Sequence, residues 1–156
     1  MALQAPGVIP VVVDVSSAQR LLDMAKTVYG FGVGLLVAAK VYGSAATNGV
    51  PEAWRIAMKH KASLVVLPGL RDAVSLFNPD KVIVFSYEYG DRLGLDELGG
   101  LMRGGRVMVV FGGIDAAPSR EDVNLGRAVY FKGVDSRLPP SAEASLALYA
   151  YRTSSR

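Results

Sequence analysis

The sequence predicts an α/β fold built on a parallel sheet of about six strands with helices on both faces. Three observations carry this. Short β-branched apolar runs alternate with turns and with stretches of helical spacing along the whole chain. Most of those runs are too uniformly apolar to leave one face in water, which is the mark of strands covered on both sides. The chain has 156 residues, 51% hydrophobic and 20% charged, enough for one compact core and little more, so a single domain over 1–156 is expected.

The candidate strands are 8–15, 35–41, 63–67, 81–86, 106–111 and 128–132. After the first, Ser16, Ser17 and Gln19 open a helix with capping-box spacing, and Leu21, Leu22, Ala25, Val28 and Tyr29 form its apolar stripe until Gly30 and Gly32 stop it. Pro51 suits the first turn of a second helix, with Trp54, Ala57 and Met58 toward the core and Glu52, Arg55 and Lys59 outward. A weak helix at 71–77 ends before Asn78 and Pro79, and another at 95–102 ends at Gly104 and Gly105. Ser119 with Asp122 caps a short helix that stops near Gly126. The last helix, 141–151, is apolar around most of its circumference, so it needs a covering surface besides the sheet, and a subunit interface is the expected one.

Composition removes several chemistries. There is no cysteine, hence no disulfide, thiolate zinc site or Cys nucleophile, and the single histidine, His60, excludes a two-His metal site within one chain. No metal site is expected. The net charge of +3 permits a nucleic-acid partner. The apolar runs are far shorter than the roughly 20 residues of a membrane span, and the first ten residues lack a signal-peptide layout, so a cytoplasmic protein without membrane contact is expected.

In parallel sheets, ligands bind beyond the carboxyl ends of the strands. After the fifth candidate strand comes Phe111-Gly112-Gly113-Ile114-Asp115, whose paired glycines allow close backbone approach to a ligand or simply a tight turn; it is neither GxGxxG nor GxxxxGK[ST]. After the sixth comes Lys132-Gly133-Val134-Asp135-Ser136-Arg137-Leu138-Pro139-Pro140-Ser141, a loop into the apolar helix. Together FGGID and GVDSRLPPSAEASLALYAYR resemble the second and third motifs of the SpoU–TrmD (SPOUT) class of S-adenosylmethionine-dependent RNA methyltransferases. Leu138, Ser141, Ala144, Leu146, Leu148 and Tyr149 fall into the register of the family segment SLNVSVAAAILLYE, and GFGVGLLVAAK at 30–40 is similar to the family's AFGV followed by a strand. Pro139 stands where the family has Asn, and Asp115 comes one place later than the family's acid.

The resemblance implies a C-terminal trefoil knot, an exception to the rarity of knots. It also implies S-adenosylmethionine as cofactor, tRNA or rRNA as partner, methyl transfer with ribose 2′-O as one acceptor, and a homodimer packed through the first and last helices. Carried over by position, Gly112, Gly113, Val129, Phe131, Val134 and Leu138 would hold the cofactor, with Ser86 and Tyr87 as weaker additions. Arg20 and Lys26, in place of the family's first-motif residues, are the catalytic candidates, or else solvated ends of an amphipathic helix. Arg137 is a candidate for RNA contact, and Asp115 for contact with a base or the cofactor or for a helix cap. Arg55, Lys59, His60 and Lys61 either touch phosphates or form a solvated face, and Trp54 reads as core.

Two other readings stay open. One is a non-catalytic RNA- or protein-binding module that keeps the knotted fold. The other is a nuclease or phosphoryl-transfer enzyme, resting on the loop acids Glu88, Asp91, Asp96 and Glu97, whose spacing matches no ligand motif.

Overall fold

The structure, a computed structural model, describes residues 7–112 and 118–154. The elements run β1 (Val8–Val15), α1 (Ala18–Gly30), β2 (Leu35–Val41), a π-helical turn (Ala45–Gly49), α2 (Val50–Lys59), β3 (Ser63–Leu67), α3 (Leu70–Phe77), β4 (Lys81–Phe85), β5 (Asp91–Leu93), α4 (Leu95–Leu101), β6 (Val107–Gly112), α5 (Arg120–Val123), β7 (Arg127–Phe131) and α6 (Pro140–Thr153). All pairings are parallel, in the order β3-β2-β1-β6-β4-β7-β5. The sheet thus has seven strands. The extra one, β5, is a three-residue edge piece, Asp-Arg-Leu, with no apolar run to announce it.

β1 and β6 lie at the centre and are buried on both faces, as their Val-rich sequences require. One core layer joins the sheet to α1, α2, α4 and α6, through residues such as Leu21, Met24, Ala57, Leu98, Met102 and Leu148. The other joins it to α3 and α5, through Leu70, Ala73, Phe77 and Val123. Helices therefore cover both faces, as the sequence predicts. The predicted cap of α1 is present, with the Ser17 hydroxyl accepting from the Arg20 amide, and Ser119 caps α5 by accepting from Asp122 N–H.

One expectation about a helix is corrected. Trp54 and Met58 are not core: they are 47% and 70% exposed, while Ala53 and Ala57 are buried. The small residues decide the phase, because Gly49 lies against Ala18 so closely that a Cβ there would meet the Ala18 Cα at 3.1 Å. A ridge of Ala45, Gly49, Ala53 and Ala57 lets α2 approach α1, and the large side chains are turned outward.

The apolar α6 finds its second covering surface within the chain. It packs against α1 and α4 as well as the sheet. Arg103 holds its end by donating to Ser154 Oγ at 2.8 Å and to the Tyr151 carbonyl, and Arg152 donates to the Phe31 carbonyl at 2.9 Å. Tyr149 is left 56% exposed. Among the described residues, no helix is long and apolar enough to cross a membrane.

Candidate functional site

The most unusual backbone in the sheet sits at the carboxyl ends of β1 and β2. Asp14 and Lys40 both have positive φ, 62° and 60°, a region that residues with a Cβ rarely enter. They are neighbours across the ladder, for Val13 pairs with Ala39 and Val15 with Val41 on either side of them. The alternation of a regular strand explains why. Val12 and Ala38 face the α1/α6 layer and Val13 and Ala39 the α3/α5 layer, so unbroken strands would turn both charges into the first core. The left-handed residues absorb one position each, Val15 and Val41 resume the apolar phase, and the charges come out together. Strain of about 1–3 kcal/mol per residue replaces the larger cost of burying a carboxylate and an ammonium.

The extruded pair meets at 3.4 Å, Lys40 Nζ to Asp14 Oδ1. Both line a cavity of about 230 Å³ completed by Gly69, Leu70 and Arg71 at the start of α3 and by Ser119, Glu121 and Asp122 of α5. Burial raises the Asp122 carboxyl above its ordinary value, and Asp14 and Glu121 push the same way, against the Ser119 contact and Lys40. Two cations, Lys40 and Arg71, and three carboxylates, Asp14, Glu121 and Asp122, thus share one recess outside the strand ends. Sequence reasoning missed Asp14, Lys40, Arg71 and Asp122. The available signal was a single charge inside each of two otherwise apolar strands, VIPVVVDV and LLVAAKV.

Several residues carried over from the resemblance lie on or just beyond β4 and β7 and on the strap that follows β7. Ser86 is buried just beyond β4 and accepts from Tyr89 N–H at 3.1 Å. The half-buried Tyr87 donates its hydroxyl to the Asp135 carbonyl at 2.6 Å and lies under the Arg92 guanidinium, 4.6 Å from the ring centre. Val129 and Phe131 are interior residues of β7, whereas Val134 and Leu138 are half-buried on the strap 132–139. Gly112 ends β6 inside the core; Gly113 and Asp115 lie outside the described residues.

Beneath the strap is a pair that sequence reasoning also missed. Tyr130 donates its hydroxyl to Glu143 Oε2 at 2.7 Å and accepts the Leu138 N–H at 2.8 Å. Glu143 is only 4% exposed. Burial pushes its carboxyl up to about 7, with Glu88 acting in the same sense and Tyr130 and Arg137 opposing. Burial and Glu143 in turn raise the Tyr130 phenol. Arg137, half-buried on the strap, faces this carboxylate rather than standing as an isolated surface charge.

The other candidates do not converge. Arg20 and Lys26 are six residues apart on one unbroken helix, about 9 Å along its axis and roughly 120° apart around it, so they do not face one point; Arg20 is half-buried and Lys26 exposed. Arg55 pairs with Glu52 at 2.8 Å, and Lys59, His60 and Lys61 are exposed, a solvated face. The loop acids are dispersed too: Glu97 accepts from Gly94 N–H at 3.0 Å and lies 3.6 Å from Lys132, and Asp91 lies 3.8 Å from Arg127. Among the described residues, no three His, Asp or Glu side chains come together to hold a metal.

The family model described as RecB-family nuclease (DUF2122) matches residues 43–150. A protein of Aeropyrum pernix named as a candidate type II restriction enzyme is 47% identical over 143 residues, 91% of this chain and 90% of its own length. The chain belongs to the DUF2122 family. The fold of this DUF2122 protein has its solved likenesses elsewhere. TrmJ from Z. mobilis superposes with a TM-score of 0.74 at 17% identity, over 94% of this chain and 69% of TrmJ. The SpoU methyltransferase AviRb from Streptomyces viridochromogenes, in complex with AdoMet, gives 0.72 at 16% identity, over 94% of this chain and 60% of its own.

The SPOUT resemblance therefore holds for the fold. The expected function is corrected: the family match and the A. pernix relative point to a nuclease, against an RNA methyltransferase and its non-catalytic alternative. Sequence motifs of a ligand loop track the fold of that loop, and a fold hosts more than one chemistry.

Proposed function

We propose that this DUF2122 protein is an enzyme that cleaves nucleic-acid phosphodiesters in the recess of Asp14, Lys40, Arg71 and Asp122. The observation that carries it is the paired left-handed backbone that extrudes Asp14 and Lys40 together into a cavity holding a desolvated carboxylate. Family membership supports the reaction class. Lys40 and Arg71 supply positive charge for a phosphate and for the charge that builds on it during attack. Asp122 accepts a proton from the attacking water as the new P–O bond forms. The bond to the leaving oxygen breaks, and water protonates that oxygen. Asp14 holds the Lys40 ammonium in place.

The cofactor, knot and partners that the resemblance implies stand as further proposals. AdoMet would lie beside the ends of β4 and β7, where the half-buried Val134 and Leu138 would offer apolar contact to its adenosine part and Tyr87 an aromatic one, and AdoMet would supply a sulfonium cation there. A trefoil knot of the C-terminal segment rests on the SPOUT resemblance and the likeness of fold to TrmJ and AviRb, and a homodimer through α1 and α6 is supported by the exposed Tyr149.

Incubation with end-labelled DNA and RNA, single- and double-stranded, with and without Mg²⁺ or Mn²⁺, tests the main reading. Strand scission that falls at least about a hundredfold in both Lys40→Ala and Asp122→Asn is expected, the usual scale for loss of a positioned charge or base. Absence of scission on every substrate, or scission indifferent to both substitutions, would overturn it.

A further inference from the structure

The charged recess does not end at Lys40. A larger groove of about 760 Å³ opens beside it, lined by Lys40, Val41, Tyr42, Val66, Leu67 and Pro68. Lys40 and Pro68 line both, so recess and groove form one depression with a cation at the junction. Among the described residues lining the groove, Lys40 alone is charged, and its side chain is 63% exposed. Tyr42 and Val66 are 48% and 44% exposed, an aromatic ring and an aliphatic side chain offered to the groove's occupant.

Why these side chains stand open follows from the same backbone device. The left-handed Lys40 returns Val41 to the core phase and ends the strand, and Tyr42 N–H is spent on the Val15 carbonyl, which fixes the Tyr42 backbone beside the recess. Val66 belongs to β3, which among the described residues is an edge strand with no neighbour on its outer side.

An occupant must match this polarity: an anion within reach of Lys40 and, directly next to it, a flat apolar body. A nucleotide unit has that layout, a phosphate on one side and a π-faced base on the other, and base stacking on aromatic side chains tolerates any base. We propose that the Tyr42–Val66 groove is a nucleobase slot, which seats the unpaired base adjoining the phosphate held at Lys40. The proposal rests on the phosphodiesterase reading for its purpose but not for its geometry. It gives the substrate a stated form: a strand whose base is out of the duplex stack at the point of cleavage.

Titration of the whole protein with a single-stranded trinucleotide made only of 2-aminopurine deoxynucleosides reads the slot directly, because stacking quenches the fluorescence of that base. Saturable quenching is expected, about tenfold weaker in Tyr42→Ala and restored in Tyr42→Phe. An abasic trinucleotide with the same phosphates should compete at least tenfold less well. Equal competition by the abasic strand, or equal binding by Tyr42→Ala, would sink the slot. So would a groove filled by a second copy, seen as a dimer that Tyr42→Ala dissociates while no quenching occurs. Cleavage assays separate the two ideas. Quenching without scission would leave the slot standing and remove the enzyme reading; scission unaffected by Tyr42→Ala and by base removal would do the reverse.

Discussion

Two non-glycine residues with positive φ, Lys61 and Lys40, are informative when set side by side. Lys61 (φ 53°) follows the α2 C-cap residue His60, a position where glycine is preferred because no Cβ meets the preceding turn. Lys40 pays a similar penalty at a strand end, where the backbone turn extrudes a charge pair. Both glycine substitutions should therefore raise stability, by about 1 kcal/mol each, measurable as a higher denaturant midpoint. Their effects on scission should differ: Lys61→Gly leaves it unchanged and Lys40→Gly removes it, the usual conflict where strain serves a site. A Lys40→Gly variant no more stable than the parent would show that the turn is not strained. None of this was legible from composition. Asp14 and Lys40 looked like exceptions within apolar runs, and only the backbone dihedrals explain how a charge can occupy a strand whose neighbours are all core.

At the scale of elements, α2 shows how packing overrides pattern. Trp54, Ala57 and Met58 share a face by periodicity, and a hydrophobicity count favours burying it. The helix instead seats its small residues on α1, since Gly49 and Ala53 permit an approach that Trp would block. Gly49→Ala should cost about 1–3 kcal/mol, because its Cβ would meet the Ala18 backbone rather than a movable side-chain end. Trp54→Ala, at 47% exposure, should cost less than Gly49→Ala despite removing a far larger side chain. Chemical denaturation of the two variants decides the order. A similar lesson comes from α6. Its apolar circumference was legible, but what covers it was not: α4, a short helix of Leu, Gly and Gly with little apolar signal, and the arginines at 103 and 152 supply the contact.

For the whole molecule, the buried Glu143 makes stability depend on pH. Its folded-state value of about 7 lies above the ordinary 4.5, mainly through burial, so the native state holds a proton that the unfolded chain releases. Stability from this group is complete below about pH 4.5, declines as pH rises, and is lost by the time pH passes 7. The integrated loss is about 3 kcal/mol. Glu143→Gln keeps a hydrogen-bonding partner for Tyr130 without the titration, so its unfolding free energy should be flatter between those limits and should exceed the parent's at pH 8. Parallel pH dependences of the two proteins would show that the carboxyl titrates normally. The strap is linked to the same group through Tyr130 and Leu138.

By itself the sequence determined the class of fold, six of the seven strands described, and the helix caps at Ser17 and Ser119. These are local properties: alternation of apolar runs, a hydroxyl three residues before an amide, glycine where a turn is tight. The resemblance to SPOUT loops likewise holds for the fold, because loop motifs record backbone shape. Tertiary structure alone decided which charges share a recess. Asp14, Lys40, Arg71 and Asp122 come from four separate elements, and their meeting depends on two strands breaking phase at the same register. It also decided that Glu143 is buried beside Tyr130 and that Trp54 is not buried. Burial and proximity are sums over long-range contacts, and no short window of sequence contains them.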